Sequence, residues 1–244
     1  MTTHGSGGAH AFGLAPGEAV LVITPHPDGE TLGAGGTLAR LAHEGIEVHV
    51  LAVRARADRQ DGGHGDPGER LRRFGSACGA LGVTAAAIAW PDERSDLSIG
   101  RYPRELIALI EEHPAVSLDA VNPAALLIPS ASAFHHDHQA VHHAAFAAAR
   151  IRAASLKPAP RIVAGFRGAE DVWTAHREPW RVHVDTSRHW TAKEAALRCY
   201  TSPAGGNGHR RRIDQIRAAD AAAGEALGLG CQYAEIFVPY RLAY

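Results

Sequence analysis

Two short segments concentrate the residue types that hold metals and move protons. Pro25-His26-Pro27-Asp28-Gly29-Glu30 sets an imidazole beside two carboxylates, and its prolines stiffen the presentation. His135-His136-Asp137-His138 sets three imidazoles around a third carboxylate. His135 and His138, three residues apart, can turn toward one point, and Asp137 can orient one of them through its ring N–H. A helical continuation would also place His138 and His142 on one face. Neutral imidazole with carboxylate is the usual ligand set of zinc, iron and manganese, and three protein ligands leave a position open for water. Taken singly, each segment has an ordinary reading. The first is equally a charged turn with Glu30 near a helix start, where a carboxylate complements the dipole. His136, His142 and His143 read as solvated residues. Together the two segments imply a catalytic metal rather than a structural one, on condition that the fold brings them to one edge.

The surrounding pattern supplies such an edge. Glu18 to Pro25 is a short, β-branched apolar run, the signature of a strand buried on both faces, and the first cluster follows it directly. Thr31 to His43 has helical spacing and stops at Gly45, and Ile46 to Val53 is a second strand, which completes a βαβ unit. Helices are expected over Glu69 to Leu81 and Arg104 to Glu112, with a third strand at Ala86 to Trp90 between them. A fourth strand, Ala124 to Pro129, leads into the second cluster and a helix from about His138 to Arg150. Strands at Arg161 to Gly165, Arg181 to Asp185 and Glu235 to Pro239, and helices at Thr191 to Tyr200 and Arg210 to Leu227, complete the reading. The alternation predicts an α/β fold: a Rossmann-like, doubly wound, mostly parallel sheet in a single domain over residues 18–244. Ligands of such sheets bind beyond the carboxyl ends of the strands, here the first and fourth. Met1 to Gly17, rich in Gly, His and Thr, reads as a flexible tail without the basic start and apolar middle of a secretory signal.

Composition narrows the partners. The 244 residues balance 25 basic against 26 acidic side chains, so no broad charge footprint for nucleic acid or an anionic membrane exists. No apolar run is long enough for a membrane helix. Cys78, Cys199 and Cys231 are far apart and form no CxxC pair, which argues against a disulfide framework or thiolate zinc cage and for a reducing, cytoplasmic setting. Arg54, Arg56 and Arg59 lie in an Asp- and Gly-rich loop that reads mainly as solvated, and the four tryptophans read mainly as packing. Gly33, Gly35 and Gly36 lack dinucleotide-motif spacing and a P-loop lysine, so close helix–sheet packing accounts for them.

Residues Pro25 to Glu30 followed by Leu32-Gly33-Ala34-Gly35-Gly36-Thr37, and His135-His136-Asp137-His138-Gln139-Ala140-Val141, resemble the two signature motifs of the PIG-L superfamily. Smaller matches at Arg70, Leu81-Gly82-Val83, Pro91-Asp92, Ala192-Lys193, Tyr200-Thr201-Ser202 and Tyr233-Ala234-Glu235 extend the resemblance along most of the chain. That family comprises metal-dependent (LmbE-like) de-N-acetylases of N-acetylglucosaminyl-phosphatidylinositol, of sugar precursors of small thiols and of glycopeptide antibiotics. The resemblance implies Zn2+, or another divalent ion such as Fe2+, held by His26 and His138, with Asp28 as general base. It implies that His135, oriented by Asp137, stabilises the oxyanion, that Arg70 and Asp92 contact substrate, and that the substrate is an acetylated amino sugar or glycoside. One position departs. The family's third metal ligand is a second aspartate, and this chain has Gly29 there. Three readings therefore stay open: a hydrolase in which Asp28 or Glu30 supplies the missing oxygen, a site that binds metal only together with substrate, and a weakened or non-catalytic relative that binds a sugar.

Overall fold

Each apolar run forms a strand: β1 (Ala19–Thr24), β2 (Glu47–Arg54), β3 (Ala85–Trp90), β4 (Ala125–Pro129), β5 (Ile162–Phe166), β6 (Val182–Asp185) and β7 (Ala234–Leu242). These come from a computed structural model that describes residues 10–55, 67–90, 98–151, 159–168, 180–201 and 207–243. The strands make one sheet in the order β3-β2-β1-β4-β5-β7-β6. From β3 to β5 all neighbours are parallel, whereas β7 runs antiparallel to both β5 and β6. The mostly parallel α/β expectation holds, with one strand reversed near an edge. β1 and β4 are neighbours, paired from Val20 opposite Ala125 to Val22 opposite Leu127. After β1 the chain builds outward on one side, and after β4 it builds on the other. The order therefore reverses between the two strands whose ends carry the histidine clusters, where an open α/β sheet has its ligand crevice.

Helices α1 (Gly29–His43), α2 (Pro67–Ala80), α3 (Pro103–Glu112), α4 (Leu118–Val121), α5 (His136–Ala148), α6 (Trp190–Cys199) and α7 (Asn207–Leu227) cover the sheet. Leu38 and Leu41 of α1, Phe74 of α2 and Ala196 of α6 bury one face with Val20, Val22 and Val50. Leu106 and Ile110 of α3 and Val141 of α5 bury the other with Leu21, Ile23 and Leu126. Alternate residues of β1 point to opposite faces and both are covered, which explains its unbroken apolar sequence. Among the described residues, no helix is long and apolar enough to cross a membrane.

The glycines of α1 are a packing device. A Cβ at Gly35 would stand 3.0 Å from Lys193 Cγ, and one at Gly36 2.7 Å from Thr186 Cβ. The helix thus approaches α6 and the β6 end more closely than alanine permits. The leader requires a correction. From His10 onward it is ordered against the core, with a 3-10 turn at Ala11–Gly13 and the Phe12 ring edge-on to Phe237 at 5.1 Å between centroids. Leu14 is buried, and the Ala11 N–H donates to Glu44 Oε2 at 2.9 Å. Two apolar side chains in a Gly-rich stretch suffice to dock it, because Phe12 and Leu14 gain the burial of core residues.

Candidate active site

His26 leaves the end of β1 and points across to the β4 side. Its Nδ1 donates to the Arg54 carbonyl at 3.2 Å, and its Nε2 lies 3.0 Å from Asp137 Oδ2. The second cluster is shaped by the start of α5. Here His135 is the N-cap, and its Nδ1 accepts the Asp137 backbone N–H at 3.2 Å. α5 therefore begins at His136, earlier than the expected His138, because an imidazole performs the capping usually done by Ser, Thr, Asp or Asn. With Nδ1 accepting, the ring proton of neutral His135 sits on Nε2, which becomes its donor atom. The sequence leads one to expect Asp137 to orient His135 through its carboxylate. It does so through its main chain, and the carboxylate, 4.0 Å from His135 Nδ1, serves His26 instead.

The rings of His26 and His135 have centroids 6.3 Å apart, and those of His135 and His138 5.7 Å apart. Thus His26, His135, Asp137 and His138 converge at the carboxyl ends of β1 and β4. Among the described residues, His135, His136 and Asp137 also offer ligand atoms within 4.8 Å of one another. His136 is exposed, with Nε2 3.4 Å from Asp137 Oδ1 and 3.1 Å from Ser98 Oγ. His143 is exposed as expected, but His142 is not solvated: it is buried and donates from Nδ1 to the Pro129 carbonyl at 2.8 Å. Burial alone would raise the Asp137 carboxyl. The His26 hydrogen bond and the neighbouring imidazoles of His26, His136 and His135 outweigh it and hold the group at about 2.

Asp28 occupies a backbone conformation that few non-glycine residues adopt, φ 102° and ψ −30°. Glu30 maintains it. Fully buried, Glu30 accepts the Asp28 N–H on Oε2 at 3.1 Å and takes the Tyr200 and Thr31 hydroxyls on Oε1 at 2.6 and 2.7 Å. Burial raises its carboxyl above the ordinary value despite those donors. Both Glu30 oxygens are thus committed, which removes it as a stand-in for the ligand missing at Gly29. The Asp28 carboxylate faces Arg212 of α7, with Nη2 3.6 Å from Oδ2. No sequence signal singles out Arg212, which lies far along the chain in an Arg-rich run. Arg70 sits half-buried in the first turn of α2. Asp92, Arg56, Arg59 and Trp173 lie outside the described residues. Arg54 closes β2, and Trp190 is buried and stacked on Tyr233.

Gly29 is filled by a neighbour. A Cβ there would collide with Thr24 Oγ1, the hydroxyl that donates to the His26 carbonyl at 3.0 Å. Gly29→Asp alone is therefore expected to destabilise the protein by about 1–3 kcal/mol through overpacking. In the Thr24→Ala background the same change should recover more than half of that loss in urea unfolding. Equal losses in both backgrounds would mean that Thr24 is not the obstacle.

The PIG-L family model, described as GlcNAc-PI de-N-acetylase, matches residues 21–149, a span containing most of β1, both histidine clusters and all of α5. The chain belongs to the PIG-L family. A relative from Gordonia bronchialis, 1D-myo-inositol 2-acetamido-2-deoxy-alpha-D-glucopyranoside deacetylase, is 29% identical across 57% of this chain. The match covers 59% of that enzyme's length. The conserved protein TT1542 from Thermus thermophilus superposes with a TM-score of 0.69 at 26% identity, over 93% of this chain and 97% of that one. GalB, the 4-carboxy-2-hydroxymuconate hydratase of Pseudomonas putida KT2440, has a TM-score of 0.71 at 17% identity over 93% and 98% of the two chains, a likeness of fold alone. The PIG-L scaffold thus resembles that of a hydratase as well, and the reaction has to be argued from the site.

Proposed function

We propose that the protein is a metal-dependent hydrolase that removes the N-acetyl group from an amino sugar or N-acetylglucosaminyl glycoside, giving acetate and a free amine. The observation that carries this reading is the convergence of His26, His135, Asp137 and His138 where the strand order reverses. The donors suit Zn2+ or Fe2+, being imidazole and carboxylate with no thiolate. Asp137 Oδ1 is also buried without a hydrogen-bond partner, a polar atom that a cation would satisfy. His26 and His138 would hold the ion, which when bound supplies Lewis acidity toward the acetyl carbonyl and toward water.

The chain's own residues perform the remaining work. Asp28, whose backbone N–H is held by Glu30, accepts the proton from the attacking water. His135 presents Nε2–H to the oxygen that becomes negative as the carbonyl carbon turns tetrahedral and gives that proton to the nitrogen as the C–N bond breaks, recovering one from the proton Asp28 took from water. Arg70 and Asp92 contact the sugar. The Gordonia relative's named substrate carries an acetamido glucopyranoside, which supports this substrate class. The widely spaced, unpaired cysteines suit a cytoplasmic enzyme.

Zinc-loaded protein should release acetate from a panel of N-acetylglucosaminyl glycosides, and His26→Ala and His138→Ala should each reduce turnover more than ~100-fold, beyond what loss of an outer partner costs. Variants as active as the parent would overturn the reading. The filling of the Gly29 site by Thr24 favours one competitor, a sugar-binding relative without turnover, for which glycosides bind in calorimetry while no acetate appears.

A further inference from the structure

We infer that Asp137 is itself a metal ligand, taking the place of the carboxylate absent at Gly29, so that the ion is held by His26, Asp137 and His138. This rests on the metal-dependent reading above. The departure at Gly29 raises the question of which oxygen completes the site, and the structure engages the candidates nearest in sequence elsewhere. Both Glu30 oxygens are buried and engaged by Tyr200, Thr31 and the Asp28 N–H. Asp28 lies beside the Arg212 guanidinium. Thr24 Oγ1 fills the space beside Gly29 from which a side-chain ligand at that position would project.

Asp137 has what the others lack. Its Oδ2 is 3.0 Å from His26 Nε2. His26 Nδ1 faces a carbonyl oxygen, which only accepts, so the ring proton of neutral His26 belongs on Nδ1 and the Nε2 lone pair faces the carboxylate. A cation bound there would replace the proton that otherwise bridges the pair, with Nε2 and Oδ2 each donating to it. Ligand atoms about 2.1 Å from a tetrahedral zinc lie ~3.4 Å apart, so the pair need open by only a few tenths of an ångström. Asp137 Oδ1 is also buried without a hydrogen bond, leaving the carboxylate able to shift toward either oxygen. His138 follows on the first turn of the same helix with its ring 5.7 Å from that of His135; among the described residues the ligand atoms already gathered within 4.8 Å are those of His135, His136 and Asp137, so the His138 side chain would have to turn inward to join the ion. His135, which also offers a ligand atom within 4.8 Å of Asp137, is left out of the ligand set because its Nε2–H is the donor that the proposed reaction needs for the oxyanion.

The test compares zinc affinity by chelator competition in the parent, Asp137→Asn and Asp28→Asn, with cobalt(II) absorption of Asp137→Cys. Asparagine keeps the shape of the side chain, so folding is retained while the charged donor is lost. Zinc binding is expected to weaken more than ~100-fold in Asp137→Asn, beyond the 10–100-fold typical of an outer partner, and less than about threefold in Asp28→Asn. Cobalt-loaded Asp137→Cys should show a sulfur-to-cobalt charge-transfer band that the parent, with its own three cysteines, lacks. Zinc binding that survives Asp137→Asn but fails in Asp28→Asn overturns the assignment, as does cobalt binding by Asp137→Cys without that band. Either result leaves the metal-dependent reading intact. A parent that takes up neither zinc nor cobalt overturns that reading and this assignment with it.

Discussion

Asp28→Asn is expected to lower kcat on the acetylated substrate by about 10²–10⁴-fold, the usual contribution of a positioned general base, while KM stays within a few-fold. The choice of asparagine follows from the backbone. At φ 102° most side chains would strain the turn, whereas Asn shares with Asp an unusual tolerance of positive φ. The variant should keep the bond from residue 28 N–H to Glu30 Oε2, and with it the shape of the loop, and lose only the proton acceptor. Its effect on stability should be small, because the Arg212 contact it weakens is half-exposed and such pairs contribute ~0–1 kcal/mol. The acid limb of the kcat/KM profile, which reports deprotonation of the base in free enzyme, should disappear with it. A variant with parental kcat and an unchanged acid limb would remove Asp28 from the chemistry. Alanine at the same position would be a poorer test, since loop strain and base loss would change together.

The parts of the fold that the sequence expresses locally are legible in it, and the parts that depend on strand order are not. β1 and β4 stand out because strands buried on both faces are unbroken apolar runs, and the polar residues after them mark the crevice. The position of β7 between β5 and β6 leaves no such trace, as an antiparallel insertion has the same local pattern as an edge strand. The site divides similarly. His26 and His138 are visible as chemistry-bearing types at the ends of strands. The partner of Asp137 is not, because the neighbouring His135 is the obvious candidate in sequence and the actual one, His26, lies 111 residues away. Thr24 facing the bare Gly29 is a relation between a strand end and a helix start that takes shape only after the turn between them is fixed. Phe12 and Leu14 are obscured by the Gly- and His-rich composition around them, although two docked side chains are enough to order the segment.

A buried lysine provides the second large expected effect. Lys193 belongs to a helical stretch whose neighbours suggest a surface face, yet its side chain is wholly buried, with Nζ donating to Asp220 Oδ2 at 2.7 Å and Glu235 Oε1 at 2.6 Å. Glu235 in turn accepts the Gly36 and Thr37 N–H groups of α1 at 2.9 and 2.8 Å. One ammonium thus joins α6, α7 and β7, and through Glu235 reaches α1. Lys193→Met should cost about 3–5 kcal/mol in urea unfolding, because it strands two carboxylates in the interior. Asp220→Asn should behave otherwise. A single lysine faces two carboxylates, and burial together with the Glu235 charge outweighs Lys193 and lifts Asp220 to about 6. A carboxyl raised in the folded state loses its proton first in the unfolded chain, so its contribution falls as pH rises from about 4 to about 6. Asp220→Asn keeps an acceptor for Nζ and removes that slope, so at pH 7 it should lie within ~1 kcal/mol of the parent or above it. If both variants lost several kcal/mol alike, the charge imbalance would not be what governs the triad. The link to function is mechanical: α1 begins at the Asp28–Glu30 turn and α7 carries Arg212, so loosening Lys193 should disturb the base and its neighbour from a residue that touches neither.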